Sequence, residues 1–363
     1  ADFATAEDAV QEALIRALSA SGDESPADPT GWLITVAWRA FLDMARSDAA
    51  RRDRELRFDT EPPAGAIPSA DDTLRLYFLC AHPDLTPSSA VALTLRAVGG
   101  LTTHQIARAY LVPQRTMAQR ISRAKRVVSR AGVDRSGDVR TVMRVLYLVF
   151  NEGYSGDVDL AAEAIRLTRQ LAVLVDDPEV HGLLALMLLH HARRRSRTRP
   201  DGSIVPLAAQ DRSQWDTRLI AEGIAIAQAA LGRDQLGEYQ AQAAIAALHA
   251  DALRVEETDW AQIVAWYDEL LRFADTPIVR LNRAVAVGEA DGAPAGLAAL
   301  AEVDEHVPRR EAVAAYLHEK NGDLEVAAGL YADAARNAPN LAERDHQMRQ
   351  ATRVNQRLQQ CGR

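Results

Sequence analysis

Apolar residues recur at three- and four-residue spacing along nearly the whole chain, and the strict alternation of a half-buried strand is rare. The pattern predicts an all-α protein. Its first helix covers Ala6–Leu18, with Val10, Leu14 and Leu18 on the core side and Asp8, Gln11, Glu12 and Arg16 outside. A polar, Pro-containing loop, Ser21–Gly31, leads to a second helix, Trp32–Arg46, which continues into the basic stretch Arg51–Arg57. The segment Phe58–Ala70 holds three prolines and a glycine and cannot be a regular helix. Gly132, Ser136 and Gly137 make a weaker break before Arg140. The predicted organisation is therefore a module at 1–57, a linker at 58–70, a module at 71–130 and a long extension at 141–363.

The second module carries the sharpest local pattern. Gly99 and Gly100 end a helix that includes Val91–Val98. Thr102 and Gln105 have the spacing of a capping box for the next helix. Ile106, Ala107 and Tyr110 are its predicted buried stripe. Leu111, Val112 and Pro113 form a short turn, and Pro113, lacking an N–H, suits the first position of a following helix. That helix places Met117, Ile121 and Val128 toward the core. Gln114, Arg115, Thr116, Gln119, Arg120 and Arg123 fall mostly on the other faces. Glutamine and arginine near the start of such a helix can read base edges, and Arg and Lys further along, Lys125 included, can hold phosphates. The bland alternative is an ordinary basic amphipathic helix pair on a protein surface.

Charge sharpens this reading. The net charge is −8, which by itself argues against a nucleic-acid partner. Yet no Asp or Glu lies between Pro87 and Arg130, a stretch that holds eight arginines and lysines. Acids and bases roughly cancel over the first 140 residues, so the acidic surplus belongs to the extension. Two distant cysteines, Cys80 and Cys361, fit neither a zinc finger nor a disulfide framework and suit a reducing, cytoplasmic compartment. No apolar run reaches the roughly 18 residues of a membrane span. No cofactor motif is present.

In the extension, residues 307–340 read as a 34-residue repeat: a helix, a turn at Asn321-Gly322-Asp323, a second helix with Ala327, Tyr331 and Ala335, then Pro339. This is the tetratricopeptide pattern. Residues 277–302 form a related unit turning at Gly292, and helices at 160–175, 180–193, 218–231 and 239–252 are expected to stack on them. Stacked pairs expose a concave groove suited to a peptide or protein ligand. His190 and His191 are adjacent, about 100° apart on a helix, and chelate a metal poorly together. Asp211, Glu152 and His181 have no nucleophile or metal motif beside them, so no enzyme is expected. Arg193–Arg199 reads as an exposed turn, with contact to DNA or polymerase as the alternative.

The order of these parts is specific. An A-E-D-A-V-Q-E-A helix is followed by a G-W-L-I-T-V-A-W-R-A-F-L-D helix ending in arginines. A Pro-rich linker and a helix-turn-helix ending R-A-K-R come next. This resembles RNA polymerase sigma factors of the extracytoplasmic-function type over roughly residues 1–130. The segments Leu74–Pro83, Val149–Tyr154, Leu183–His190 and Gln210–Trp215 resemble the subgroup with a tetratricopeptide-like C-terminal extension. The resemblance implies partners and roles. Asp8, Gln11 and Glu12 would meet the β′ clamp of core RNA polymerase, and the linker would run through the enzyme, so that the β subunit is also a partner. Trp38, Arg39 and Arg46 would act at the −10 element, where an extruded base must be enclosed. Gln114, Arg115, Thr116, Gln119, Arg120, Arg123 and Lys125 would face the −35 element of promoter DNA. The family's first helix is expected ahead of Ala6 and is not seen in this sequence, which would leave the polymerase-binding module incomplete. The resemblance thus implies a sigma factor regulated in cis by its extension. The competing reading is a ligand-sensing helix-turn-helix regulator that acts without polymerase, and a pure repeat scaffold is the third.

Overall fold

The computed structural model describes residues 69–110, 112–131, 138–155, 158–199, 203–338 and 340–361, which fall into two compact units divided between Leu174 and Val175. The predictions for residues 1–68 lie outside the described residues, among them those for Asp8, Gln11, Glu12, Trp38, Arg39 and Arg46. The regular structure of the described chain is helical, as the periodicity predicts, apart from a small antiparallel ribbon pairing Tyr154 with Asp159 and Ser155 with Val158 and an isolated antiparallel bridge between Thr198 and Ile204. Among the described residues no helix is long and apolar enough to cross a membrane.

The first unit contains α1 (Ser69–Cys80), α2 (Pro87–Ala97), α3 (Thr103–Ala109), α4 (Gln114–Ala131), α5 (Val139–Glu152) and α6 (Leu160–Leu174). Ser69 and Ala70, expected to close the linker, already belong to α1. Helix α2 begins at Thr86, whose side chain accepts the Ser89 N–H, with Pro87 in the first turn. It ends where Gly100 takes φ +74°, a conformation that costs a side-chain-bearing residue and not glycine. Leu93 and Leu95 of α2 are fully buried.

The extension was expected to begin near residue 141, but the structural division falls later. Helix α5 buries Val142, Met143, Val145, Leu146, Val149 and Phe150. Six large apolar side chains on one 14-residue helix need a partner surface, and α1, α2 and α6 supply it. Tyr77 of α1 ties the unit together by donating its hydroxyl to the Leu167 carbonyl of α6 at 2.8 Å. Residues 139–174 are thus part of the helix-turn-helix unit.

The second unit runs through α7 (Pro178–Ala192), α8 (Thr217–Leu231), α9 (Glu238–Asp251), α10 (Trp260–Leu271), α11 (Pro277–Ala290), α12 (Ala293–Ala301), α13 (Arg310–Asn321), α14 (Leu324–Arg336) and α15 (Leu341–Cys361). The helices expected near 180–193, 218–231 and 239–252 are present within two residues; α10 and α15 were not anticipated. Residues Leu183 to Leu189 of α7 are all buried, so this helix is apolar around its whole circumference and is flanked by α8 and α9. The two anticipated repeat units form as helix pairs. Gly292 (φ +94°) turns α11 into α12, and Gly322 (φ +91°) turns α13 into α14, the helix expected to carry Ala327, Tyr331 and Ala335, which are buried. Small residues set the spacing: a Cβ on Gly296 would lie 2.7 Å from the Gly288 Cα atom.

One cap joins the helices of the second unit. Helix α9 starts at Gly237, which has no side chain with which to cap it. Glu179 of α7 does so instead, its carboxylate accepting the N–H groups of Tyr239 (2.9 Å) and Gln240 (3.0 Å) and the Gln240 side-chain amide (3.1 Å). A carboxylate at a helix N-terminus satisfies orphan donors and meets the positive end of the helix dipole. Glu179→Ala should therefore destabilise the second unit by about 2–3 kcal/mol, read as a lower urea midpoint. An unchanged midpoint would show that water replaces the cap at no cost.

Candidate nucleic-acid interface

Helices α3 and α4 form the helix-turn-helix. Thr102 caps α3 reciprocally with Gln105: the Gln105 N–H donates to Thr102 Oγ1 (3.2 Å), and the Thr102 N–H donates to Gln105 Oε1 (2.8 Å). This is the capping box the sequence spacing predicts. Ile106 and Ala107 are buried, and so is Ala109. Tyr110 is only half-buried, with its hydroxyl oxygen enclosed and, among the described residues, without a hydrogen-bond partner. Burial, then the nearby Glu152 carboxylate, pushes the Tyr110 hydroxyl pKa up. Pro113 stands one place ahead of its expected position: α4 starts at Gln114, and the Pro113 carbonyl accepts the Met117 N–H at 3.1 Å. A residue with fixed φ and no N–H serves either place, since that donor would have no intrahelical partner.

The inner side of α4 carries Met117, Ile121, Ala124 and Val128, each at most 4% exposed. These recur at four-, three- and four-residue steps, so they lie along one stripe. The opposite face follows by geometry. Gln114, Arg115, Thr116, Gln119 and Arg123 are exposed. Arg120 and Lys125 are half-buried on opposite flanks of the core stripe. Ser122, Arg126 and Arg130 also look outward. Arg126 was missing from the residues singled out in the sequence, although its spacing of three from Arg123 and seven from Gln119 puts it on the same face. Together Arg115, Gln119, Ser122, Arg123 and Arg126 border one open groove of about 460 Å³.

A second cleft, about 270 Å³, lies between α4 and the start of α2. Thr86, Ser88 and Ser89 line one side, and Thr116, Arg120 and Arg123 the other. Hydroxyls and a helix N-terminus opposite two guanidinium groups make an arrangement that favours an anion. No sequence reasoning reached Thr86, Ser88 and Ser89, because nothing local in the chain says that α2 points its N-terminus at α4. Arg96 has a different task from the other bases of the acid-free stretch: its Nη1 donates to the Leu101 carbonyl at 3.0 Å and braces the turn before α3.

The other sequence candidates have local structural partners. Asp211 caps a short 3₁₀ turn by accepting from the backbone and hydroxyl of Ser213. His181 Nδ1 lies 3.0 Å from the Asp177 carbonyl. Burial, followed by Arg193 and Arg197, pushes the His190 pKa down to about 3. Among the described residues no group of three His, Cys, Asp or Glu side chains could hold a metal ion.

The described residues are mainly helical, and the basic, outward-facing second helix of the helix-turn-helix suits DNA; comparison with known families places the chain more closely. Residues 1–51 match sigma-70 region 2 and residues 75–127 match sigma-70 region 4, and the helix-turn-helix described above lies largely within the region 4 match. Residues 138–231 match a family of unknown function, DUF6596. The chain is 42% identical over 329 residues to an uncharacterized protein of Rhizobium meliloti (strain 1021), covering 83% of this chain and 78% of that one, and it belongs to the same family. It is also similar to a probable ECF RNA polymerase sigma factor, SigI, of Mycobacterium tuberculosis (strains CDC 1551 / Oshkosh and ATCC 25618 / H37Rv). That likeness is 31% identity over 188 residues, 44% of this chain and 62% of the mycobacterial proteins. No solved structure matches the chain.

The capping box sets where α3 begins and hence how α4 is presented. Thr102→Ala should cost about 1 kcal/mol of stability, seen as a lower urea midpoint for the first unit. An equal midpoint would mean that the cap is solvated without penalty.

Proposed function

We propose that this protein is an alternative sigma factor that binds core RNA polymerase and directs initiation at specific promoters, with no catalysis of its own. The observation that carries this reading is the outward face of α4, where Arg115, Gln119, Arg123 and Arg126 line one groove within a segment free of acidic residues. The region 2 match in the same chain supports polymerase-dependent reading over a regulator that works alone. In this reading Gln114, Arg115, Thr116, Gln119 and Arg120 meet base edges of the −35 element in the major groove. Arg123, Lys125 and Arg126 grip phosphates. The cleft beside Ser88 and Ser89 holds a further phosphate at the start of α2.

The remaining roles follow the resemblance. Asp8, Gln11 and Glu12 meet the β′ clamp, and the linker engages the β subunit. Trp38, Arg39 and Arg46 act at the −10 element, all in the cytoplasm on chromosomal DNA. The second unit regulates promoter reading in cis. Its helical pairs and acidic balance support that role beside a basic reader, as does the similarity of most of the chain, extension included, to a single relative.

Run-off transcription with purified core polymerase tests the central claim: promoter-specific transcripts should appear from genomic templates only when the protein is added. Failure to bind core, together with absence of any specific transcript, would end the sigma reading. Two variants separate the roles on α4. Arg120→Ala should weaken −35 binding by about 1–3 kcal/mol and relax sequence preference, whereas Arg126→Ala should weaken all sequences alike and lower the salt slope by about 1. The reverse pattern would exchange their assignments.

The cis role calls for a chain ending at Leu174, which keeps α5 and α6 on the helix-turn-helix unit, rather than one ending near residue 140. Its run-off yield should differ from that of the full chain. Equal yield across conditions would remove regulation by the second unit.

A further inference from the structure

Arg193–Arg199, which the sequence reads as an exposed turn, is a second acid-free basic run. No Asp or Glu lies between Val180 and Pro200, and five of the seven residues from Arg193 to Arg199 are arginine, inside a unit whose surplus is acidic. The structure braces this run just past the end of α7. The Arg199 N–H donates to the Ser203 carbonyl and the Val205 N–H to the Arg197 carbonyl, both at 2.9 Å, closing residues 197–199 onto 203–205. Trp215 Nε1 donates to Ser196 Oγ at 2.8 Å, and the Gln210 side-chain amide donates to the Val205 carbonyl at 3.1 Å. Arg195, Arg197 and Arg199 are exposed on this pinned backbone.

These cations lack the partners that other arginines of the second unit have. Arg233, Arg254, Arg272, Arg280, Arg283 and Arg336 each pair with an Asp or Glu. Among the described residues Arg193, Arg195, Arg197 and Arg199 pair with none. The carboxylates that follow in the described chain are engaged locally: Asp211 accepts from Ser213 and Gln214, and Asp216 caps α8. The negative end of the α7 dipole accounts for a cation at Arg193 or Arg194, but its effect fades within a turn and does not reach Arg197 and Arg199. Arg193 and Arg212 stand over the same Trp215 ring, 5.8 and 4.5 Å from its centre. Glu256 and Glu257 partly offset Arg212. For Arg193, burial and then Arg197 and Arg212 pull the pKa down to about 10. A half-buried cation crowded by like charges costs stability until an anion joins it.

We propose that Arg195, Arg197 and Arg199 bind the phosphate backbone of duplex DNA, a contact separate from that of α4, with Arg193 adding positive field behind them. Guanidinium forks match phosphate geometry, and a braced backbone presents them with little ordering left to lose. The contact carries no base preference. Trp215, the ring beside these arginines, is 5% exposed and covered, so it offers no face on which an unpaired base could stack. The surface lies wholly in the second unit, so this contact holds or fails apart from the sigma reading.

The test is fluorescence anisotropy with the full chain and a mixed-sequence DNA duplex, without polymerase, over a salt series. Each phosphate contact adds about 0.9 to the slope of log affinity against log salt. The combined variant Arg195→Gln, Arg197→Gln and Arg199→Gln should therefore lower that slope by about 2–3 and weaken binding at low salt by at least about tenfold. Arg197→Gln alone, a change at one exposed side chain, should lower it by about 1 and keeps the result readable if the combined variant folds poorly. A slope unchanged in Arg197→Gln would overturn the proposal, while a lower slope for Arg126→Ala in the same assay would leave the α4 reading standing. Undiminished DNA binding with weakened binding to core polymerase would assign the surface to the polymerase and would likewise overturn it.

Discussion

The burial of Met117, Ile121, Ala124 and Val128 along one side of α4 is the constraint from which the reading surface follows. A helix pinned by one stripe has no rotational freedom left. Once those four side chains are inside, Arg115, Gln119, Ser122, Arg123 and Arg126 must be outside. The arginines need no partner of their own to be aimed. The stripe aims them, and the Thr102–Gln105 capping box and the short turn at Pro113 set where the helix enters.

That stripe needs a wall to press on, and the wall extends past the helix-turn-helix. Helix α2 lies against both α4 and α5, and α5 in turn packs on α1 and α6. The first unit therefore closes at Leu174. The segment that matches a family of unknown function begins inside this unit, at residue 138, and continues to residue 231. Part of what looks in sequence like an added extension is structural support for the reader.

The second unit obeys a different economy. Its helices approach through small residues such as Gly182, Gly223, Gly288 and Gly296, where an added Cβ would meet a neighbour at 2.9 Å or less. It borrows a cap across helices from Glu179.

Much of this was legible in the residue pattern. Helical periodicity identified an all-α chain, Thr102 and Gln105 marked the start of α3, and Gly292 and Gly322 marked the repeat turns. These are local matters of spacing, capping and backbone geometry within a few residues. The acid-free stretch from Pro87 to Arg130 pointed to the interface, because charge composition survives folding unchanged. The rest depended on partners distant in sequence. That Ser88 and Ser89 face Arg120 and Arg123, that residues 139–174 support the helix-turn-helix unit, and that Arg193 and Arg212 stand over one Trp215 ring are tertiary outcomes. Which helix meets which is decided by complementary buried surfaces, and no single segment encodes them alone.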